Sequence, residues 1–149
     1  MNVTGSWTRT EAMSFLVEAA IPVRLACHRP DGGLWMLSLW FLPWDESLWC
    51  ATGADADVVR YLEHDDGVAF EVSTNDPPYR GVRGAGTAVL EPDTDKALLR
   101  ALFDRYLGGT DNRLGDRLLA DDREEVRIRI DPSRIYTWDF TERMDDATD

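Results

Sequence analysis

Residues 21–53 constrain the fold most, because their pattern predicts three consecutive strands joined by two tight turns. The first strand, 21–29, ends at Pro30-Asp31-Gly32-Gly33, where proline presets one backbone dihedral and glycine allows a positive φ. The second predicted strand spans 34–42 and the third spans 48–52, with a turn between them at 43–47. This stretch therefore predicts an antiparallel meander around which the rest of the chain packs.

Both faces of the second predicted strand are apolar. One face carries Trp35, Leu37, Leu39 and Phe41, and the other carries Leu34, Met36, Ser38, Trp40 and Leu42. A strand of an antiparallel sheet usually exposes one face to water, so a strand with two apolar faces needs cover on both. The second face is covered either by the chain's own helices or by a ligand or second subunit.

The chain is long enough, at 149 residues, to form a single domain over 1–149 with its own core. It has 28 acidic and 16 basic residues, a formal net charge of -12, and Lys96 is its single lysine. This charge repels nucleic acid and anionic membranes, so we expect neither as a partner. An aspartate-rich, lysine-poor composition also indicates a halophilic source, with an ordinary acidic protein as the alternative.

The remaining polar residues give little sign of catalysis. Cys27 and Cys50 lie within predicted strands and are expected to be buried free thiols, and the absence of an export signal predicts a cytoplasmic protein. His28 and His64 have no partners at ligand spacing, so we expect no metal site. No nucleophile with its base and no phosphate loop is recognisable, so catalytic residues cannot be assigned and redox chemistry would need a bound cofactor.

Helices and further strands flank the meander. A capping box at Thr8 and Glu11 predicts a helix, Asp55 is the predicted N-cap of a second, and Asp93-Thr94 of a third. Further strands are predicted at 68–72, 79–90, 126–130 and 134–140, with Pro132 separating the last two. Residues 1–7 and 141–149 are expected to fray. The pattern favours a mainly β (α+β) fold, a closed antiparallel barrel with helices outside.

Two arginines lie within mostly apolar predicted strands. Arg24 and Arg83 each need a partner or a route to water, because burying an unpaired guanidinium is costly. The partner is either a carboxylate of the chain or an anion such as a cofactor phosphate.

The order of short motifs along 11–144 resembles a known family. These motifs are RLA, SLWF, a strand ending ATG, VAFEV, PPYRGVRGAG, RYLG and RIDPSRIYTWDF. They resemble the pyridoxamine 5′-phosphate oxidase-like, flavin-binding split β-barrel family. The resemblance implies a split β-barrel of antiparallel strands with peripheral helices. It also implies a homodimer that holds flavin mononucleotide (FMN) or a deazaflavin in each of two clefts at the interface.

The resemblance also implies positions for the cofactor. The backbone of Leu39, Trp40 and Phe41 would form the edge against the flavin ring, and Thr52 would help to hold the ribityl phosphate. Trp138 would reach the ring, which makes Trp40 and Trp138 the candidates for ring contact.

The chain departs from the family at the phosphate site. Serine, arginine and lysine are common there, whereas this chain has Ala56, Asp57 and Val58, with Asp55 adding negative charge. Leu37 and Leu42 replace an arginine and a lysine of the true oxidases, so pyridoxamine 5′-phosphate oxidation is not expected. The candidates for a replacement anion contact are Arg24, Arg60 and Arg83, followed by Arg143.

Three functional hypotheses follow. The first is a flavin-binding oxidoreductase-like protein or deazaflavin reductase that acts on a small molecule through a rearranged phosphate site. The second is a dimeric small-ligand-binding protein that has no cofactor. The third is a haem-handling relative, which the sequence contexts of His28 and His64 disfavour.

Overall fold

The computed structural model describes residues 1–145, which form one eight-stranded sheet with helices around it. The strands are β1 Asn2–Gly5, β2 Val23–His28, β3 Leu34–Leu39, β4 Leu42–Trp44, β5 Ser47–Gly53, β6 Gly67–Ser73, β7 Arg80–Pro92 and β8 Glu125–Asp139. The helices are α1 Arg9–Glu18, α2 Asp57–His64, α3 Ala97–Leu107, α4 Arg113–Leu118 and α5 Thr141–Asp145, and a 3-10 turn at Thr94–Lys96 precedes α3.

The sheet is mainly antiparallel and is split between β3 and β4. Its hydrogen-bonded order is β3-β2-β6-β7-β8-β5-β4, with β1 added to β8. Since β3 and β4 stand at opposite ends of this order, the predicted closed barrel is wrong. The split barrel implied by the resemblance is confirmed, as is the mainly β class.

The predicted second strand, 34–42, is in fact two strands separated by Trp40 and Phe41. β3 pairs with β2, from Leu34 opposite His28 to Leu39 opposite Val23, whereas β4 pairs with β5. A single straight strand could not reach both ends of the sheet, so the chain leaves one pairing and enters the other at this break.

The two strands predicted at 126–130 and 134–140 are one strand, β8, which continues through Pro132. Gly86 lies opposite Pro132 and Ala85 opposite Arg134, so Ser133 is the extra residue of a β-bulge. A bulge tolerates proline because it needs no ladder hydrogen bond at that position. Gly86 is required here, since a Cβ on it would lie 2.1 Å from the carbonyl oxygen of Asp131.

The N-terminus is part of the sheet, so the expectation that residues 1–7 fray is wrong. β1 runs parallel to β8, with Val3 opposite Ile135. The Trp7 N–H donates to Thr137 Oγ1 at 2.9 Å, and that hydroxyl donates to the Thr4 carbonyl at 2.9 Å. At the other end α5 covers 141–145, and 146–149 lie outside the described residues.

The helix starts follow local polar contacts. The capping box at Thr8 is confirmed: the Glu11 N–H donates to Thr8 Oγ1 at 3.2 Å and the Thr8 N–H to Glu11 Oε1 at 3.1 Å. α2 has Ala56 as its N-cap, without a side-chain bond, so the prediction of Asp55 is wrong. Asp93 does serve the start of α3, because its carboxylate accepts from the N–H groups of Leu98 and Leu99.

The core lies between the inner face of the sheet and the helices α1 and α2. Its fully buried side chains include Leu16, Leu25, Phe41, Val72, Val82, Ile128 and Ile130. Cys27 and Cys50 are buried free thiols, as predicted. Burial raises the pKa of the Cys50 thiol to about 12, and burial together with nearby Asp65 raises the pKa of Cys27. Among residues 1–145, no helix is long and apolar enough to cross a membrane.

Candidate functional site

The three residues predicted to line a flavin ring are Leu39, the last residue of β3, and Trp40 and Phe41, which form the break between β3 and β4. The Trp40 ring stacks on Tyr106 of α3, with centroids 5.1 Å apart and planes at 6°, and meets Phe103 edge-on at 5.4 Å. Phe41 is fully buried. The break is therefore held against α3 by aromatic contacts.

The Tyr106 hydroxyl binds the backbone of the break. The Phe41 N–H donates to Tyr106 Oη at 3.2 Å, and the hydroxyl lies 2.9 Å from the Ile21 carbonyl and 3.2 Å from the Phe41 carbonyl. A phenol has one proton, so it donates to one of these two carbonyls at a time. Both polar groups of the Phe41 backbone thus face α3.

Arg105 binds the end of α1 from the same turn of α3. Its guanidinium donates to the carbonyls of Leu16, Val17 and Ala19 at 2.8, 2.8 and 2.9 Å. It also lies over the Phe41 ring, 5.0 Å from the centroid. Arg105 and Tyr106 belong to the RYLG motif, but their contacts depend on three segments distant in sequence, and no local pattern predicts them.

Arg24, Arg83 and Trp138 come together on the outer face of the sheet. Arg24 and Arg83 lie directly opposite Glu71 on its two sides, and Arg83 lies opposite Tyr136. Residues that face each other across strands share one side of the sheet. Arg24, Glu71, Arg83 and Tyr136 therefore form a single row. The Arg83 guanidinium lies 4.4 Å from the Trp138 ring centroid, and Trp138 is only 6% exposed. The predicted ring contact of Trp138 stays a prediction, with Arg83 covering the indole.

Thr52 and Arg60, the residues predicted to contact the cofactor phosphate, lie near the start of α2. Thr52 is the penultimate residue of β5, opposite Val126. Arg60 donates to the Asp57 carboxylate at 2.7 Å within the same helix. The charge proposed to replace the phosphate contacts is therefore already paired. The fourth candidate, Arg143 of α5, lies over Phe140 at 4.3 Å.

A hollow of about 320 Å³ adjoins this end of β5 and is mostly acidic. Its charged lining residues are Asp55, Asp122, Arg123 and Glu124. Arg123 is bound to Glu125 at 3.1 Å, and the Glu125 side chain is 2% exposed. Among the described residues, both arginines of this region have a carboxylate partner, so the donor set does not fit a phosphate dianion.

The sequence-predicted residues thus occupy separate places: the break, the outer face, the start of α2 and α5. The residues that sequence reasoning missed are Tyr106, Arg105 and Glu71. In residues 1–145, no group of three or more His, Cys, Asp or Glu side chains is placed to hold a metal ion.

Solved structures with this fold include proteins of several activities. A conserved hypothetical protein from Mycobacterium tuberculosis aligns with TM-score 0.74 at 24% identity, covering 90% of this chain and 86% of that chain. An F420 reductase aligns with TM-score 0.69 at 28% identity, covering 80% and 92%. A proposed pyridoxamine 5′-phosphate oxidase from Listeria innocua aligns with TM-score 0.64 at 16% identity, covering 85% and 95%.

The same fold occurs in an FAD-binding protein from Mycobacterium smegmatis, at 18% identity, and in a haem-storage protein from Vibrio cholerae, at 16%. Neither a protein-family model nor a curated protein gives a significant match to the sequence. The structural neighbours and the strand order both indicate the split β-barrel fold that the motifs of the sequence resemble. The protein therefore has the split β-barrel fold of the pyridoxamine 5′-phosphate oxidase-like, FMN-binding proteins.

Proposed function

We propose that this protein binds a flavin or deazaflavin ring and is an oxidoreductase-like protein that acts on a small molecule. The observation that carries the proposal is the 28% identity to an F420 reductase over 80% of the chain. When bound, such a ring supplies hydride transfer, and the protein supplies placement and electrostatics.

The described residues support a ring site better than a phosphate site. Tyr106 holds the backbone of Phe41, next to Leu39 and Trp40, and its ring stacks on Trp40. On the outer face, Arg83 covers Trp138 and places a cation beside the exposed ring of Tyr136. At the start of α2, by contrast, Arg60 is already bound to Asp57, and Arg123 beside Gly53 is bound to Glu125.

The proposed assembly is a homodimer in which a second copy covers the outer face of the sheet. Leu34 and Met36 are 78% and 65% exposed there, so the chain's own helices do not cover the second apolar face of β3. Met36 faces a row of alanines at positions 26, 69 and 85, which leaves a flat surface. Exposed apolar faces of this kind mark interaction sites, and a symmetric dimer buries the same patch on both copies.

Substitution of this face tests the dimer. We expect Met36→Asp to convert the protein to a monomer in light scattering, because a charge in an apolar interface loses its hydration. Val17→Asp is the matched control, since Val17 is 60% exposed on α1 and should leave the mass unchanged. A wild-type monomer in both dilute and molar salt would rule the dimer out.

An absorbance spectrum of the purified protein tests the cofactor, followed by mass spectrometry of the compound released by heat or acid. Stoichiometric flavin or deazaflavin is the expected result. A colourless protein that also fails to bind added riboflavin, FMN and a deazaflavin would contradict the proposal.

That negative result would favour a second candidate, a cofactor-free protein of the same fold that binds another small ligand. The specific observation for it is that Arg60 and Arg123 are both bound to carboxylates of the chain. Binding of a panel of aromatic ligands, measured by chromatography, would then test this second candidate.

A further inference from the structure

The first turn of α2 carries its own negative charge. An eight-residue helix with no side-chain cap leaves N–H groups at its start that attract an anion. Asp57 already occupies the first turn, and it accepts a hydrogen bond from Arg60 at 2.7 Å. An incoming phosphate would have to compete with Asp57 both for the helix end and for Arg60.

The surroundings of Gly53, just before α2, are also mostly negatively charged. A Cβ on Gly53 would lie 3.3 Å from Arg123 Nη2 and 3.3 Å from Asp55 Oδ1, so both groups border this glycine. Arg123 is held by the buried carboxylate of Glu125. Asp122 and Glu124 line the adjacent hollow.

The charges at the start of α2 and around Gly53 therefore exclude rather than attract a dianion. Five carboxylates (Asp55, Asp57, Asp122, Glu124 and Glu125) lie there with two arginines (Arg60 and Arg123), each already ion-paired. A phosphate monoester carries about -1.5 to -2 charge at pH 7. Repulsion between these carboxylates and a phosphate opposes binding, and salt screens this repulsion.

We propose that the protein selects a flavin-type ring with an uncharged sugar-alcohol tail, and that Asp55 and Asp57 discriminate against a terminal phosphate. This inference rests on the proposed flavin-binding function. It assigns specificity to two residues and names the chemical class of the ligand's tail.

Riboflavin and FMN are the matched probes, because they differ only in the phosphate. We expect wild-type protein at about 0.1 M salt to bind riboflavin about fivefold more tightly than FMN, measured by flavin fluorescence. Raising the salt to about 1 M should strengthen FMN binding and leave riboflavin nearly unchanged, because only FMN meets repulsion. A phosphate-binding site would show the opposite salt dependence.

The double variant Asp55→Asn/Asp57→Asn removes two charges without changing side-chain size. It should tighten FMN binding about tenfold at low salt, since Arg60 becomes available to the phosphate, and leave riboflavin within about twofold. The control Asp31→Asn/Glu46→Gln removes two charges elsewhere, in the β2–β3 turn and at the Arg9 ion pair, and should change neither affinity. Circular dichroism at both salt concentrations verifies that all three proteins are folded.

The outcomes separate this inference from the proposed function. Wild-type protein that binds FMN at least tenfold more tightly than riboflavin would overturn the selection of an uncharged tail and leave flavin binding standing. A double variant no better for FMN than the control would remove the role of Asp55 and Asp57. If neither probe binds, the inference fails, and if a deazaflavin does not bind either, the proposed function fails with it.

Discussion

Helix α3 holds the β3–β4 break, whereas α2 begins beside the predicted phosphate position, and the two helices are anchored in opposite ways. α3 is held at its start by Asp93, whose side chain is fully buried and also binds Arg127 of β8 at 2.9 Å. It is held at its end by Arg105 and Tyr106, which bind the backbone of α1, of Ile21 and of the β3–β4 break. α2 starts without a side-chain cap, and its ion pair, Asp57–Arg60, is more than half exposed.

This difference separates the contacts that set the shape of the proposed site from the charges that act on a ligand. Buried polar contacts are expensive to break and therefore fix the geometry of the break that would face a ring. An exposed ion pair contributes little to stability, yet its charges still act on any ligand that approaches. We therefore expect changes on α3 to cost folding free energy, and changes at the start of α2 to alter ligand choice.

Asp93→Ala should have the largest effect. It removes the acceptor of two α3 N–H groups and leaves Arg127 without its carboxylate, so we expect about 3 kcal/mol lost from the free energy of unfolding. Urea denaturation followed by circular dichroism measures it. Asp104→Ala is the control, an exposed aspartate on the same helix. Equal losses in the two variants would mean that the buried contacts of Asp93 do not anchor α3.

Arg105→Ala should come next. The variant leaves three carbonyls at the end of α1 without their donor, with an expected loss of about 2 kcal/mol in the same urea assay. The matched control is Arg100→Ala, because Arg100 is exposed on α3 and donates to the Asp95 carbonyl rather than to α1. A loss no greater than that of the control would show that the end of α1 is fixed by packing alone.

Tyr106→Phe isolates the hydroxyl and keeps the ring that stacks on Trp40. We expect about 1 kcal/mol lost and faster hydrogen exchange at the Phe41 amide, because that N–H loses its acceptor. Tyr79→Phe provides the comparison, since Tyr79 is an exposed tyrosine outside α3. Unchanged exchange at Phe41 would contradict the role given to the hydroxyl.

Much of the fold could be predicted because its signals are local. The Thr8 capping box, the Asp31-Gly32 hairpin turn and the Asp93 cap each depend on a few neighbouring residues, and all are present. The features that were predicted wrongly depend on contacts between residues distant in the sequence. β1 is a four-residue strand that exists because β8 offers it an edge, and β8 crosses Pro132 because Gly86 of β7 leaves room for a bulge.

The candidate site follows the same rule. The lack of phosphate partners at Ala56 and Val58 and the negative charge of Asp57 could be seen in the sequence. The spacing of Asp57 and Arg60 is itself a signal for an ion pair on one helix. The role of Tyr106 could not be predicted, because its hydroxyl meets Ile21 and Phe41, 85 and 65 residues away. Sequence patterns thus indicate which charges a site holds, whereas its shape depends on tertiary contacts.

The smallest effect is expected for the Asp57–Arg60 pair. In a double-mutant cycle with Asp57→Asn and Arg60→Gln, we expect a coupling free energy below about 0.5 kcal/mol at low salt, because both side chains are more than half exposed. Urea denaturation of the four proteins measures it, and molar salt should reduce it further. The Arg9–Glu46 pair, which joins α1 to the β4–β5 turn with similar exposure, is a suitable reference cycle. A coupling near that of a buried pair would mean that the start of α2 is fixed by charge, and the contrast with α3 would then fail.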